Sequence, residues 1–105
     1  MWPFTIRTPL CDATGDEEYV KRLAELLQSE LDASYRGLSV AHGGSQVITS
    51  YKFRVGTSRV VLELETYMGA TLIASRPLTR KILHLARAHG FNVLSDDESA
   101  TVPRA

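Results

Sequence analysis

"RGLSVAHGGSQVITSYKFRVGTSRVVLELETYMGATLIAS", residues 36 to 75, decides the fold. Three glycine-bearing dipeptides divide it: Gly43–Gly44, Gly56–Thr57 and Met68–Gly69. Glycine in a two-residue hairpin loop supplies the positive φ that twist-matched turns require. A Gly56–Thr57 loop pairs Phe53 with Val60, Tyr51 with Leu62, Thr49 with Leu64 and Val47 with Thr66. A Gly43–Gly44 loop pairs Val40 with Val47 and Leu38 with Thr49, and a Met68–Gly69 loop pairs Leu64 with Ile73. Side chains alternate along a strand, so these registers place all of those residues on one face. The stretch reads as a four-stranded antiparallel meander with one apolar face.

Helices flank the meander. Tyr19, Val20, Leu23, Leu26, Leu27 and Leu31 recur at helical spacing, which predicts a helix over about 15–33. Thr14 and Glu17 form a capping-box pattern at its start, and Asp16, Glu17 and Glu18 suit the positive end of its dipole. Gly37 lies shortly past its end. The second helix starts at "SRPL", with Ser75 as N-cap and Pro77 in the first turn. Leu78, Ile82, Leu85, Ala86 and His89 make its inner stripe, and Gly90 is placed to end it.

At the N-terminus "PFTIR", residues 3–7, alternates like a short strand, and "TPLCDATGD" reads as turn. "FNVL", residues 91–94, reads as a final short strand. Amphipathic helices and a one-sided sheet bury their apolar surfaces by stacking. The expected fold is α+β: two layers, a four-stranded, mainly antiparallel β-meander with two helices packed on one face. Residues 1–94 form one domain and the acidic, proline-containing stretch 95–105 is expected to be a mobile polar tail.

The chain has 105 residues, enough for one core without metals or disulfides. Twelve basic residues balance twelve acidic ones, which argues against a general polyanion binder. Cys11 is the sole cysteine, so no internal disulfide exists. No signal peptide or membrane span is evident, and a cytoplasmic protein without a membrane role is expected.

Several residue sets were weighed as sites. Arg76, Arg80, His84 and Arg87 fall on one side of the second helix, opposite Leu78, Ile82 and Leu85. Such a stripe suits phosphate contact, yet no aromatic residue is interleaved to stack on a base, and a solvated helix face explains it. "HGGS", residues 42–45, is explained by a hairpin turn. His84 and His89 lie about 140° apart on a helix and cannot share a metal. Glu63 and Glu65 share a sheet face, where cross-strand contacts or solvent account for them. Cys11 lies in an expected loop beside Asp12; as a nucleophile it would need a histidine brought near in space, and an incidental cysteine is the expected reading. No catalytic residue, metal site or cofactor is assigned.

The second face of the sheet is mixed. By the same register it carries Ile48, Val61, Tyr67 and Leu72 among Ser39, Lys52, Arg54, Arg59, Glu63 and Glu65. An apolar patch rimmed by polar residues can mark a protein interface. The expected function is a small non-enzymatic interaction module, adaptor/chaperone-like or immunity-like, binding a protein partner or forming a homodimer through Ile48, Val61, Tyr67 and Leu72. The alternatives are nucleic-acid binding through Arg76, Arg80, His84 and Arg87, and a small enzyme or ligand binder of unnamed reaction. The helix–meander–helix order resembles small secretion-chaperone-like and immunity-type domains in layout. No residue motif carries that likeness, so no site residue is transferred.

Overall fold

The computed structural model describes residues 5–11, 17–65 and 69–93. Its elements in chain order are β1 (Thr5–Cys11), α1 (Glu17–Glu30), β2 (Ser34–Gly43), β3 (Gln46–Val55), β4 (Ser58–Glu65), β5 (Gly69–Ser75) and α2 (Arg76–Ala88). The strands form a single antiparallel sheet in the order β1-β5-β4-β3-β2. The α+β class and the two-helix layer are as expected. The sheet has five strands rather than four, because the N-terminal strand runs on through Pro9 to Cys11 and pairs with β5. Phe91–Val93 is not a strand. Thr14, Tyr67, Met68 and the 95–105 tail lie outside the described residues.

The central hairpin has the expected register: Phe53 opposes Val60, Tyr51 opposes Leu62 and Thr49 opposes Leu64. Gly56 opens its loop at φ +63°, and only glycine takes that value without steric cost. The β2–β3 loop is Gly44–Ser45, one residue later than expected. Val40 therefore faces Thr49, and Leu38 faces Tyr51. Moving a two-residue loop by one position shifts the pairing by two residues, so every side chain keeps its face.

The β4–β5 register differs more. Glu65 opposes Gly69, Leu64 opposes Ala70 and Leu62 opposes Leu72. Leu64 does not face Ile73, and this odd shift turns β5 over. Leu72 points inward and is fully buried, while Ile73 takes the outer position opposite Val61.

Both helices pack on one face of the sheet. α2 lies against β5 and β1, and α1 lies against β4. The core they enclose comprises Val20, Leu23, Leu26 and Leu27 of α1, Ile82, Leu83 and Ala86 of α2, and Leu10, Phe53, Val60, Leu62, Ala70, Leu72 and Ala74 of the sheet. Ala70 and Ala74 leave room for α2 to approach β5. Thr79 is the buried polar residue of α2, and its hydroxyl donates to the Ala74 carbonyl at 3.4 Å.

Helix ends follow local chemistry. The Ser75 hydroxyl accepts from the Leu78 amide, and Pro77 sits in the first turn, where no helical donor is required. At the other end Phe91 N–H donates to Ala86 O at 2.9 Å and Gly90 N–H to Arg87 O at 3.1 Å, with Gly90 at φ +86°. That is a Schellman closure. The His89 side chain is exposed rather than part of the inner stripe; its backbone amide, not its ring, satisfies the terminal carbonyls. Just past the last residue of α1, Asp32 turns the chain with φ +57°. Gly37 plays no part in that turn. It sits at φ +134° in β2, where the register with β3 shifts between Tyr35 and Gly37.

Candidate functional site

Among the described residues neither helix packs on β2 as α2 does on β5 and β1 or α1 on β4. Helix cover is concentrated on β1, β5 and β4, and the sheet runs on beyond them through β3 to a fifth strand, β2. The shortfall lies at the β2 end, since α2 spans β5 and β1 and α1 lies over β4. Tyr35, Leu38 and Val40 face the helix side of the sheet, opposite Phe53, Tyr51 and Thr49. They are 49%, 52% and 50% exposed, although Phe53 beside them is fully inside the core. Half-exposed side chains of this size on the inner face of a sheet are core positions that no described element covers.

This bare patch has a firm floor. The Tyr35 ring lies 5.5 Å from the Phe53 ring. Val47, Thr49, Tyr51 and Leu64 around it are half-buried. Burial, then the charges of Glu17 and Tyr35, raises the pKa of the Tyr51 phenol, so that ring stays neutral at ordinary pH. The patch is therefore aromatic and aliphatic, without a charged side chain at its centre.

The backbone edge next to it is open. Gly43 and Gln46 flank the two-residue loop, so they form a hydrogen-bonded pair. Alternation then directs the Ala41 and Ser39 main-chain groups to β3, and those of Leu38, Val40 and His42 away from it. The neighbouring hairpin gives the same parity, because Val55 and Ser58 flank its loop and bond odd-numbered β3 residues to β4. Among the described residues no strand pairs with the outer side of β2. A row of exposed donors and acceptors beside exposed apolar side chains is a template for another strand.

The surface expected from the sequence has a different make-up. Ile48 and Val61 lie on the outer face and are half-buried. Leu72 is in the core instead, a consequence of the odd β4–β5 register, and Tyr67 lies outside the described residues. Val61 has Ile73 on one side and Lys52 on the other, while Ile48 stands opposite Glu65. The rest of that face includes Arg7, Ser39, Lys52, Arg54, Arg59 and Glu63, with Ala41 beside Ile48. Arg7 of β1 reaches over β5 to form an ion pair with Glu63 of β4.

Arg76, Arg80, His84 and Arg87 are all exposed, but they flank the buried face of α2 rather than lying opposite it: that face is Thr79, Ile82, Leu83 and Ala86, with Leu78 and Leu85 only half-buried. Among the described residues no group of His, Cys, Asp and Glu gathers to hold a metal ion, and no helix is long and apolar enough to cross a membrane. Cys11 is half-buried at the end of β1.

Comparison with protein-family models, curated protein sequences and solved structures found no match to this chain.

Proposed function

We propose that this chain is a small non-enzymatic protein-interaction module, adaptor- or chaperone-like in use, that docks its partner on the bare β2–β3 part of its inner face. One observation carries this reading: Tyr35, Leu38 and Val40 are half-exposed on the face that elsewhere forms the core. A protein keeps large apolar residues in water at little benefit to itself unless something covers them in use. The rigid floor beneath them, set by Phe53 and β4, presents that surface without prior reorganisation, which lowers the cost of association.

The outer face supports the reading less well. Its apolar pair, Val61 and Ile73, is half-buried and bordered by Arg7 and Lys52. The deciding experiment compares Leu38→Glu with Val61→Glu in a binding assay, with circular dichroism as the fold control. Loss of binding for Leu38→Glu alone supports the β2–β3 surface, and loss for Val61→Glu alone moves the site to the outer face. Binding that neither variant alters removes both surfaces.

A second reading rests on the four exposed cationic or titratable side chains Arg76, Arg80, His84 and Arg87 on one side of α2. It takes nucleic acid as ligand. It requires Arg80→Ala to weaken binding uniformly across sequences and to flatten its salt dependence.

A further inference from the structure

Resting on the interaction-module reading, we propose that the occupant of the β2 edge is a second copy of this chain. The two β2 strands pair antiparallel about Val40 and join two five-stranded sheets into one continuous sheet.

The open main-chain groups are self-complementary. Leu38, Val40 and His42 carry them at every second residue, and a two-fold axis through Val40 pairs Val40 with its own copy and Leu38 with the partner's His42. The regular part of β2 is bounded by the Tyr35/Gly37 register shift on one side and the Gly44 turn on the other. Val40 lies at the middle of what remains. The axis is perpendicular to the sheet, so both bare patches end up on the same side, and Leu38 and Val40 of each copy gain apolar neighbours across the seam.

Charge fits this direction of pairing. Arg36 is the only Asp, Glu, Lys or Arg in β2. Antiparallel pairing about Val40 separates the two Arg36 positions by eight residues, about 26 Å along the strands. Each then lies level with the partner's Gly44. Parallel pairing would set the two guanidinium groups side by side.

The opposite edge explains why growth stops at two. β1 bonds β5 through Ile6 and Thr8 by the same alternation, so residue 9 faces outward. Proline there offers no donor, and the register shift between Pro9 and Cys11 distorts the edge further. A two-fold pair consumes both β2 edges and leaves only these blunted ones, which is a closed, isologous dimer.

Sedimentation across a concentration series, together with residue-resolved amide exchange, tests the proposal. The expected result is a two-chain species in which the Leu38, Val40 and His42 amides become protected as concentration rises. Ser39 and Ala41, already bonded to β3, are protected throughout. Val40→Pro removes a donor that β3 does not use, and Val40→Lys places a charge at the seam; both are expected to yield folded single chains. A single chain at all concentrations overturns the proposal. So does a two-chain species that survives both variants, or protection of those three amides that ignores concentration. The interaction-module reading fails separately: it survives a monomeric result if Leu38→Glu still abolishes binding of a different protein, and falls if Leu38→Glu changes no association at all.

Discussion

The two edges of this sheet are built differently. β1 is overlaid by α2, carries a proline at an outward-facing position and breaks register before Cys11. β2 is a strand of ten residues without proline, its side chains almost all exposed, with Leu38 and Val40 half in water on the face that should be core. Edge strands invite pairing, and chains blunt the ones they keep to themselves. Protection of one edge but not the other separates the molecule into a half that holds the fold and a half that is available.

The largest expected contrast lies in stability. Leu72→Ala empties a fully buried position on β5, between Leu62 of β4 and Thr8 of β1, and is expected to cost about 2–5 kcal/mol. Leu38→Ala removes a side chain that is already half in water and is expected to cost less than about 1 kcal/mol. Urea titration of both variants gives the comparison directly. Equal losses would mean that the β2 patch is covered within the folded chain, and the division into two halves would fail.

The covered half is also fastened at the chain's return past α2. Tyr19 of α1 donates from its hydroxyl to the Asn92 carbonyl at 2.7 Å, and its ring stands edge-on to Phe91 at 5.4 Å between centroids. The Arg22 guanidinium lies over the Phe91 ring, 4.8 Å from its centroid. Burial, with a smaller contribution from Cys11 and against the pull of Arg22, pushes the Tyr19 pKa up to about 12. A raised folded-state pKa means the neutral phenol stabilises the fold. That contribution is fully present below pH 10, the unfolded value, and is lost as pH climbs from there towards 12. Tyr19→Phe is expected to cost about 1 kcal/mol near neutral pH and to flatten the decline in stability above pH 10. Parallel alkaline curves for the two proteins would show that the Tyr19 hydroxyl plays no such part.

Much of this architecture was legible in the sequence, and the failures have definite causes. Gly56 and Gly44 mark their hairpins because each must take a positive φ, and Ser75, Pro77 and Gly90 frame α2. The β4–β5 register was misread because Leu72 and Ile73 are adjacent and both apolar, so alternation does not choose between them. The choice was nevertheless written nearby. Ala70 and Ala74 are in phase with Leu72, and small residues suit the face a helix approaches closely, whereas Thr71 and Ile73 are β-branched and tolerate the outer face. Placing Leu72 in the outer patch followed from that one reversal. The bare patch is hidden for a different reason: alternation marks Leu38 and Val40 as inward just as it marks Phe53 and Leu62, and it does not tell which inward residues a helix covers. β1 joins the sheet beneath α2, α1 lies over β4, and Leu38 and Val40 at the far edge stay half-exposed.

The smallest expected effect concerns the outer face at the blunted edge. The Arg7–Glu63 ion pair ties β1 to β4 across the intervening strand, with the Arg7 side chain 60% exposed and Glu63 16%. Solvent screens such a pair, so Arg7→Ala is expected to change stability by about 0.2–1 kcal/mol, and by less as salt is raised. Its value is in what should not change. Arg7 lies at the far edge from Val40, four strands away in the sheet order. If association runs through β2, Arg7→Ala leaves it untouched at every salt concentration while the small stability loss fades. An association that weakens with Arg7→Ala would instead place the contact on the outer face beside Val61 and Ile73, and the open β2 edge would be an exposed strand end with no partner of its own.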